Sequence, residues 1–248
     1  MINKPRLRAN RKKEGIPPPT GKKGGRERMD PYTEKNHMEA YMHLQRYQIA
    51  TTILYGKILD LGCGLGYGTK MLKRKASLII GVEISSEALS YAKERYWGPH
   101  YILADIRNLP FKDGIFDGVT AFEVVEHVRR GKRVLTETRR VLKKGGTLIL
   151  STPNKLSPEK WLIHLILRKP YPELLGPYHF REYSYKELIK LIGSAGFQKT
   201  KQRGQLLGFP SLCGHLTCRF PAIIPLVVNI TQLFPQLSRN IILFARKR

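Results

Sequence analysis

Acid–base chemistry is most concentrated in Phe122-Glu123-Val124-Val125-Glu126-His127, where two carboxylates and an imidazole fall within five residues. On one helical turn, Glu126 and His127 stand three and four residues after Glu123 and share a face with it. Oxygen and nitrogen donors gathered in this way could hold a hard divalent cation, or supply a base that takes a proton from a hydroxyl. They could equally cap and pair locally and do no chemistry. A second imidazole follows in His179-Phe180-Arg181-Glu182-Tyr183-Ser184, after Ser151-Thr152-Pro153-Asn154. Glu123, Glu126, His127 and His179 are the candidate metal ligands, and His127 and His179 the candidate catalytic groups.

A ligand loop lies upstream. Ile58-Leu59-Asp60-Leu61 runs into Gly62-Cys63-Gly64-Leu65-Gly66, with glycine at every second position, and then into a helical stretch. Glycines at such a turn let backbone and ligand approach closely. A dinucleotide loop would need the spacing G-x-G-x-x-G to cradle a pyrophosphate. Tyr67 and Thr69 stand where the third glycine would fall, so a ligand without phosphate suits the loop better, and a nicotinamide oxidoreductase is disfavoured. Gly81-Val82-Glu83 ends the next apolar run with a carboxylate that can accept both hydroxyls of a ribose. Ala104-Asp105-Ile106 ends the third with an acceptor for an adenine amino group. Acids at the C-terminal ends of successive strands fall where open α/β sheets bind ligands.

The elements that must position these groups alternate. Strands are expected at Lys57–Leu61, Leu78–Val82, Tyr101–Ala104, Ile115–Ala121, Thr147–Ser151, Phe197–Gln202 and Ile241–Ala245. Helices are expected from about Glu39, over Tyr67–Lys75, from Ser85-Ser86-Glu87 to Tyr96, up to Leu142, and over Ser184–Ala195. Lys143-Lys144-Gly145-Gly146 reads as a helix C-terminus with positive charge and glycine. Strand–helix alternation implies a doubly wound, mostly parallel sheet. Two proline-punctuated stretches, about 155–177 and 206–236, interrupt the pattern and read as excursions that cover the site.

Composition sets the outer limits. Apolar residues make up 42% and charged residues 25% of the 248, as in an ordinary folded domain. The formal net charge of +25, from 44 Lys and Arg against 19 Asp and Glu, attracts polyanions or anionic surfaces. Residues 1–28 carry ten of those cations with Pro17-Pro18-Pro19, and read as a disordered tail that could contact RNA or an anionic surface. Cys63, Cys213 and Cys218 form no C-x-x-C pair, which points to a reducing compartment. No apolar run reaches membrane-spanning length and no secretory leader is evident, so the expected location is cytoplasmic. A noncatalytic nucleic-acid-binding protein would also account for the charge, but not for the loop and its acids.

Asp60-Leu61-Gly62-Cys63-Gly64-Leu65-Gly66, Glu83, Asp105, Leu109-Pro110-Phe111, Phe116-Asp117-Gly118-Val119 and Leu142-Lys143-Lys144-Gly145-Gly146 resemble successive motifs of class I S-adenosylmethionine-dependent methyltransferases. The resemblance runs from about residue 39 to the C-terminus. It implies a Rossmann-like seven-stranded sheet with an antiparallel last strand and helices on both faces, occupying residues 29–248. It further implies a cofactor held at its methionine end by Asp60, Gly62, Cys63, Gly64 and Gly66, at the ribose by Glu83 with Ile84, and at the adenine by Asp105 and Ile106. Phe122 and Glu123 complete the pocket, and Arg46 is the candidate cation for the cofactor carboxylate. The acceptor-side residues are similar to two branches: ubiquinone-pathway O-methyltransferases, and magnesium-dependent enzymes that 2′-O-methylate small-RNA 3′ ends. In the second branch, residues matching Glu123, Glu126, His127 and His179 ligate Mg2+, for which Mn2+ could substitute. The expected activity is O-methylation of a small or lipid-like acceptor, with the RNA reaction as the alternative.

Overall fold

Ile58, Leu59, Asp60 and Leu61 are fully buried, as a continuous apolar strand at the centre of a parallel sheet must be. They belong to β1 (Gly56–Leu61) in a computed structural model that describes residues 28–33, 37–158, 160, 165, 179–207 and 233–248. The chain continues through α2 (Tyr67–Leu72), β2 (Ala76–Glu83), α3 (Ser86–Arg95), β3 (His100–Leu103) and β4 (Phe116–Phe122). α4 (Gly131–Val141), β5 (Leu142–Pro153), α5 (Tyr185–Ser194), β6 (Phe197–Leu207) and β7 (Ser238–Lys247) follow, and α1 (His37–Ile53) precedes β1. Helix starts follow local chemistry. Ser85 caps α3 by accepting from the Ala88 amide, and Ser184 with Glu187 forms a capping box on α5.

The strands form one seven-stranded sheet in the order β3-β2-β1-β4-β5-β7-β6, and β7 runs antiparallel to both its neighbours. The fold class implied by the motifs is thus present. β1 leads to β2 and β3 on one side, while the chain returns to β4 on the other. Order reverses between β1 and β4, and their C-terminal ends therefore open the crevice in which such sheets bind ligands.

Side chains alternate across the sheet with the strand period of two. Leu59, Leu61, Leu148, Leu150, Leu243 and Ala245 pack with Val134, Leu135 and Leu188 beneath α4 and α5. Ile58, Ile149, Ile242 and Phe244 face the other way, against Leu44 and Tyr47 of α1, Met71 of α2 and Tyr91 of α3. Each buried Leu or Ile contributes about 1.5–3 kcal/mol, so a one-residue register slip would invert both cores.

Two local expectations are corrected. The stretch after β4 is not a helix: Glu123 has φ 53°, only Val125–His127 forms a 3-10 turn, and α4 starts at Gly131. Leu142-Lys143-Lys144-Gly145-Gly146 forms the start of β5, with Gly145 at φ 75°. The basic tail up to Glu27 and most of 155–177 and 206–236 lie outside the described residues. Among the described residues, no helix is long and apolar enough to cross a membrane.

Candidate active site

At the reversal point lies a cleft of about 870 Å3, within the usual size of a small-molecule site. Its floor is the glycine loop, and each glycine there meets a different demand. A Cβ on Gly62 (φ 64°) would strike Val124 Cγ2 at 2.7 Å, and one on Gly66 (φ 85°) would strike Ala92 Cβ at 2.6 Å and the Tyr101 hydroxyl at 2.8 Å. A Cβ on Gly64 (φ 52°) would meet nothing within 4 Å, because this residue faces the open cleft. Gly64 is where a ligand can come up against bare backbone.

Asp60 supports this loop from below. Its carboxylate is buried and accepts from Thr69 Oγ1 and Thr120 Oγ1 at 2.7 Å each, and from the Tyr47 hydroxyl at 3.2 Å. Burial pushes its carboxyl up to about 6, while those three donors hold it down. It fixes β1, β4, α1 and α2 to one another and does not line the cleft. Glu83 does line it. One oxygen accepts from the Ile84 amide at 2.9 Å and the Ser85 amide at 3.0 Å, and the other from Gly64 N at 3.2 Å. Asp105 and Ile106 form a further part of the wall, with Asp105 also bound by Arg107 Nε at 2.9 Å.

Of the residues expected to hold the cofactor, Gly62, Cys63, Gly64, Glu83, Ile84, Asp105, Ile106, Phe122 and Glu123 all line the cleft. Arg46, Asp60 and Gly66 do not appear on its wall; they lie behind it. Arg46 is 1% exposed, donates from Nε to Gln205 Oε1 at 2.7 Å, and sets Nη1 3.3 Å from Glu123 Oε1 without hydrogen-bond alignment. Glu123 has a left-handed backbone, φ 53°. Its carboxylate accepts from Ser151 Oγ at 2.6 Å and Asn240 Nδ2 at 3.0 Å.

The structure brings Glu126, His127 and His179 together, with one donor atom from each lying within 4.8 Å of the others. Glu126 is fully buried; Thr152 Oγ1 donates to Oε2 at 3.1 Å, while Oε1 has no hydrogen-bond partner. Burial, and then the neighbouring Glu123, push its carboxyl well above the usual range. The Glu126 carbonyl accepts from Phe180 N at 2.9 Å and Arg181 N at 3.2 Å, which draws the distant segment onto the site. The two imidazoles meet edge to face at 4.9 Å, and His179 Nδ1 lies 3.1 Å from Glu182 Oε1. Glu123 stands outside this group because its oxygens are engaged elsewhere.

Several lining residues had no signal in the one-dimensional pattern. Half-buried His43 pairs with buried Tyr67, Nδ1 to hydroxyl 2.7 Å, and burial, then Arg46, lowers the His43 imidazole well below its ordinary value. Asn240, a polar residue opening the apolar run Ile241–Phe244, is the one that sequence could have flagged. Arg28, expected in a solvated tail, reaches Glu83 at 3.0 Å.

Known proteins share both this fold and part of this sequence. Residues 59–150 match the family described as a methyltransferase domain. A probable S-adenosylmethionine-dependent methyltransferase of Mycobacterium tuberculosis is 32% identical over 142 residues, covering 56% of this chain and 48% of the relative. A demethylmenaquinone methyltransferase of Thermotoga maritima is 41% identical over 96 residues, covering 38% and 42%. A solved S-adenosylmethionine-dependent methyltransferase from Thermotoga maritima, described as a possible histamine N-methyltransferase, superposes with a TM-score of 0.61 at 22% identity, covering 86% of this chain and 92% of that one. Residues 59–150 are thus similar to the methyltransferase domain, and the chain shares its fold with solved S-adenosylmethionine-dependent methyltransferases. It spans about half the length of the curated relatives it matches.

Proposed function

We propose that this chain binds S-adenosylmethionine in the cleft and transfers its methyl group to an oxygen of a small or lipid-like acceptor beside His127 and His179. The observation that carries the reading is that the paired imidazoles share one cleft with the Gly64 backbone and the Glu83 carboxylate. When bound, the cofactor supplies an electrophilic methyl group that an acceptor oxygen can attack in line, with the thioether S-adenosylhomocysteine as the leaving group. The protein's part is alignment and proton removal. Gly64 admits the methionine end to bare backbone, Glu83 accepts the ribose hydroxyls, and Asp105 accepts from the adenine. Arg46, buried behind the wall with Nη1 unaligned on Glu123, is the candidate cation to balance the cofactor carboxylate. His127 or His179 takes the acceptor's proton, and Glu182 orients His179 through Nδ1. The demethylmenaquinone relative supports an apolar small-molecule acceptor, in keeping with Val128 and Phe180 on the same wall.

A second reading has its own observation. The partnerless Oε1 of buried Glu126, beside two imidazole donors, fits a divalent cation. Mixed oxygen and nitrogen donors suit Mg2+ or Mn2+, held here by Glu126, His127 and His179 without Glu123. A cation there would hold the two hydroxyls of an RNA 3′ end, and the basic N-terminal residues would favour such a polyanion.

The purified chain, incubated with methyl-labelled S-adenosylmethionine and fractionated cell extract, should label a non-protein acceptor. His127→Ala should abolish labelling while the Kd for S-adenosylhomocysteine stays within about twofold, since an acceptor-side group acts mainly in the transition state. Equal labelling by the variant would refute the assignment. Activity that vanishes in chelator and returns with Mg2+ would favour the second reading.

A further inference from the structure

Arg28 and Met29 line the cofactor end of the cleft. The Arg28 and Glu83 side chains are only 11% and 8% exposed, and Nη2 donates to Oε1 at 3.0 Å. That oxygen already accepts from the Ile84 and Ser85 amides, and its partner oxygen from Gly64. With about two acceptor positions on each carboxylate oxygen, Arg28 is the third donor on Oε1 and crowds the face of Glu83 that ribose hydroxyls would need, while Oε2 carries only the Gly64 amide. Two residues further on, Asp30 is 3% exposed and firmly held. Its Oδ2 accepts from the Tyr96 hydroxyl at 2.7 Å and the Tyr91 hydroxyl at 2.9 Å, and Oδ1 accepts from Tyr32 N at 3.0 Å. The Asp30 carbonyl accepts from Thr33 N at 3.1 Å, closing a turn.

We propose that residues 28–33 form a strap pinned to α3 through Asp30, and that Arg28 competes with the cofactor's ribose hydroxyls for Glu83. Cofactor entry breaks the Arg28–Glu83 pair while Asp30 stays in place, because stripping a buried carboxylate of its hydroxyl donors costs more than releasing one arginine. The strap lowers apparent affinity by the fraction of molecules in which Glu83 is free, and so sets how readily cofactor and product exchange. The inference rests on Glu83 as the ribose acceptor.

Calorimetric titration with S-adenosylhomocysteine tests both parts. Arg28→Ala should bind about three- to tenfold tighter than the parent, the range of one competing charge-assisted hydrogen bond. The gain should disappear in a Glu83→Ala background. Equal or weaker binding by Arg28→Ala, with Glu83→Ala weaker than the parent, would overturn the strap and leave the ribose assignment standing. Glu83→Ala binding as tightly as the parent would overturn both. An independent readout uses the unmutated chain: adding S-adenosylhomocysteine should speed tryptic cleavage of the Arg28–Met29 bond, scored by mass spectrometry. Unchanged or slower cleavage would count against the strap.

Discussion

Gly64 and Gly66 look interchangeable in sequence, yet the structure gives them different work, and alanine substitution separates the two roles. Both have positive φ, 52° and 85°, so either substitution costs about 1–2 kcal/mol of backbone strain. At Gly66 the new methyl must also displace Ala92 Cβ at 2.6 Å and the Tyr101 hydroxyl at 2.8 Å, which adds about 1–3 kcal/mol of overpacking. Gly66→Ala should therefore lose about 2–5 kcal/mol of folding stability, and Gly64→Ala about 1–2. The order reverses for ligand binding. The Gly64 methyl meets no protein atom within 4 Å and projects into the cleft, so S-adenosylhomocysteine should bind about tenfold or more weaker. Gly66→Ala, where it folds, should bind within about threefold of the parent because Gly66 does not line the cleft. Urea denaturation gives the first comparison and calorimetry the second. Equal stability losses, or full ligand affinity in Gly64→Ala, would refute the division of roles.

Asp60 should leave a mark on the pH dependence of stability. Its carboxyl is raised from 3.8 to about 6 by burial, so the folded state takes up a proton between about pH 6 and pH 4 that the unfolded state does not. Stability from this group rises as pH falls through that window, by up to about 3 kcal/mol, and is lost again above pH 6. Asp117, Glu137 and Glu187 have lowered values and act in the opposite direction, so the quantity to follow is the parent minus Asp60→Asn at pH 5, 6 and 7. A flat difference would contradict the assignment. Glu137 should matter for fold rather than catalysis: it accepts from Leu109 N at 2.9 Å and from Arg140 Nη2 at 2.9 Å, tying the loop after Asp105 to α4. Glu137→Ala should cost about 2–3 kcal/mol in denaturant unfolding with labelling activity per folded molecule unchanged, and a loss under about 0.5 kcal/mol would show the tie to be slack.

What could be read from sequence was what local spacing encodes. The strand period, the Ser85 and Ser184 caps and the glycine loop each depend on a few consecutive residues, and β1, α3, α5 and the acids at Glu83 and Asp105 fall where that spacing puts them. The failures are non-local. Glu123 was expected to share a helical face with Glu126, but hydrogen bonds from Ser151 on β5 and Asn240 on β7 hold it in a left-handed conformation at the end of β4. Arg28 follows a stretch whose composition resembles a solvated leader, and nothing local shows that Tyr91 and Tyr96 will fix Asp30 two residues later. Arg46 was legible as a cation near the site, but not its depth, which Gln205 on the edge strand β6 determines.

The central claim is that the Gly62–Gly66 loop and Glu83 bind a phosphate-free nucleoside cofactor, and calorimetric titration of the purified chain with S-adenosylhomocysteine and, separately, with NAD tests it most directly. The account predicts one molecule of S-adenosylhomocysteine per chain, binding weakened about tenfold to a hundredfold by Glu83→Ala, and no heat from NAD. Saturable binding of NAD with none of S-adenosylhomocysteine would contradict it.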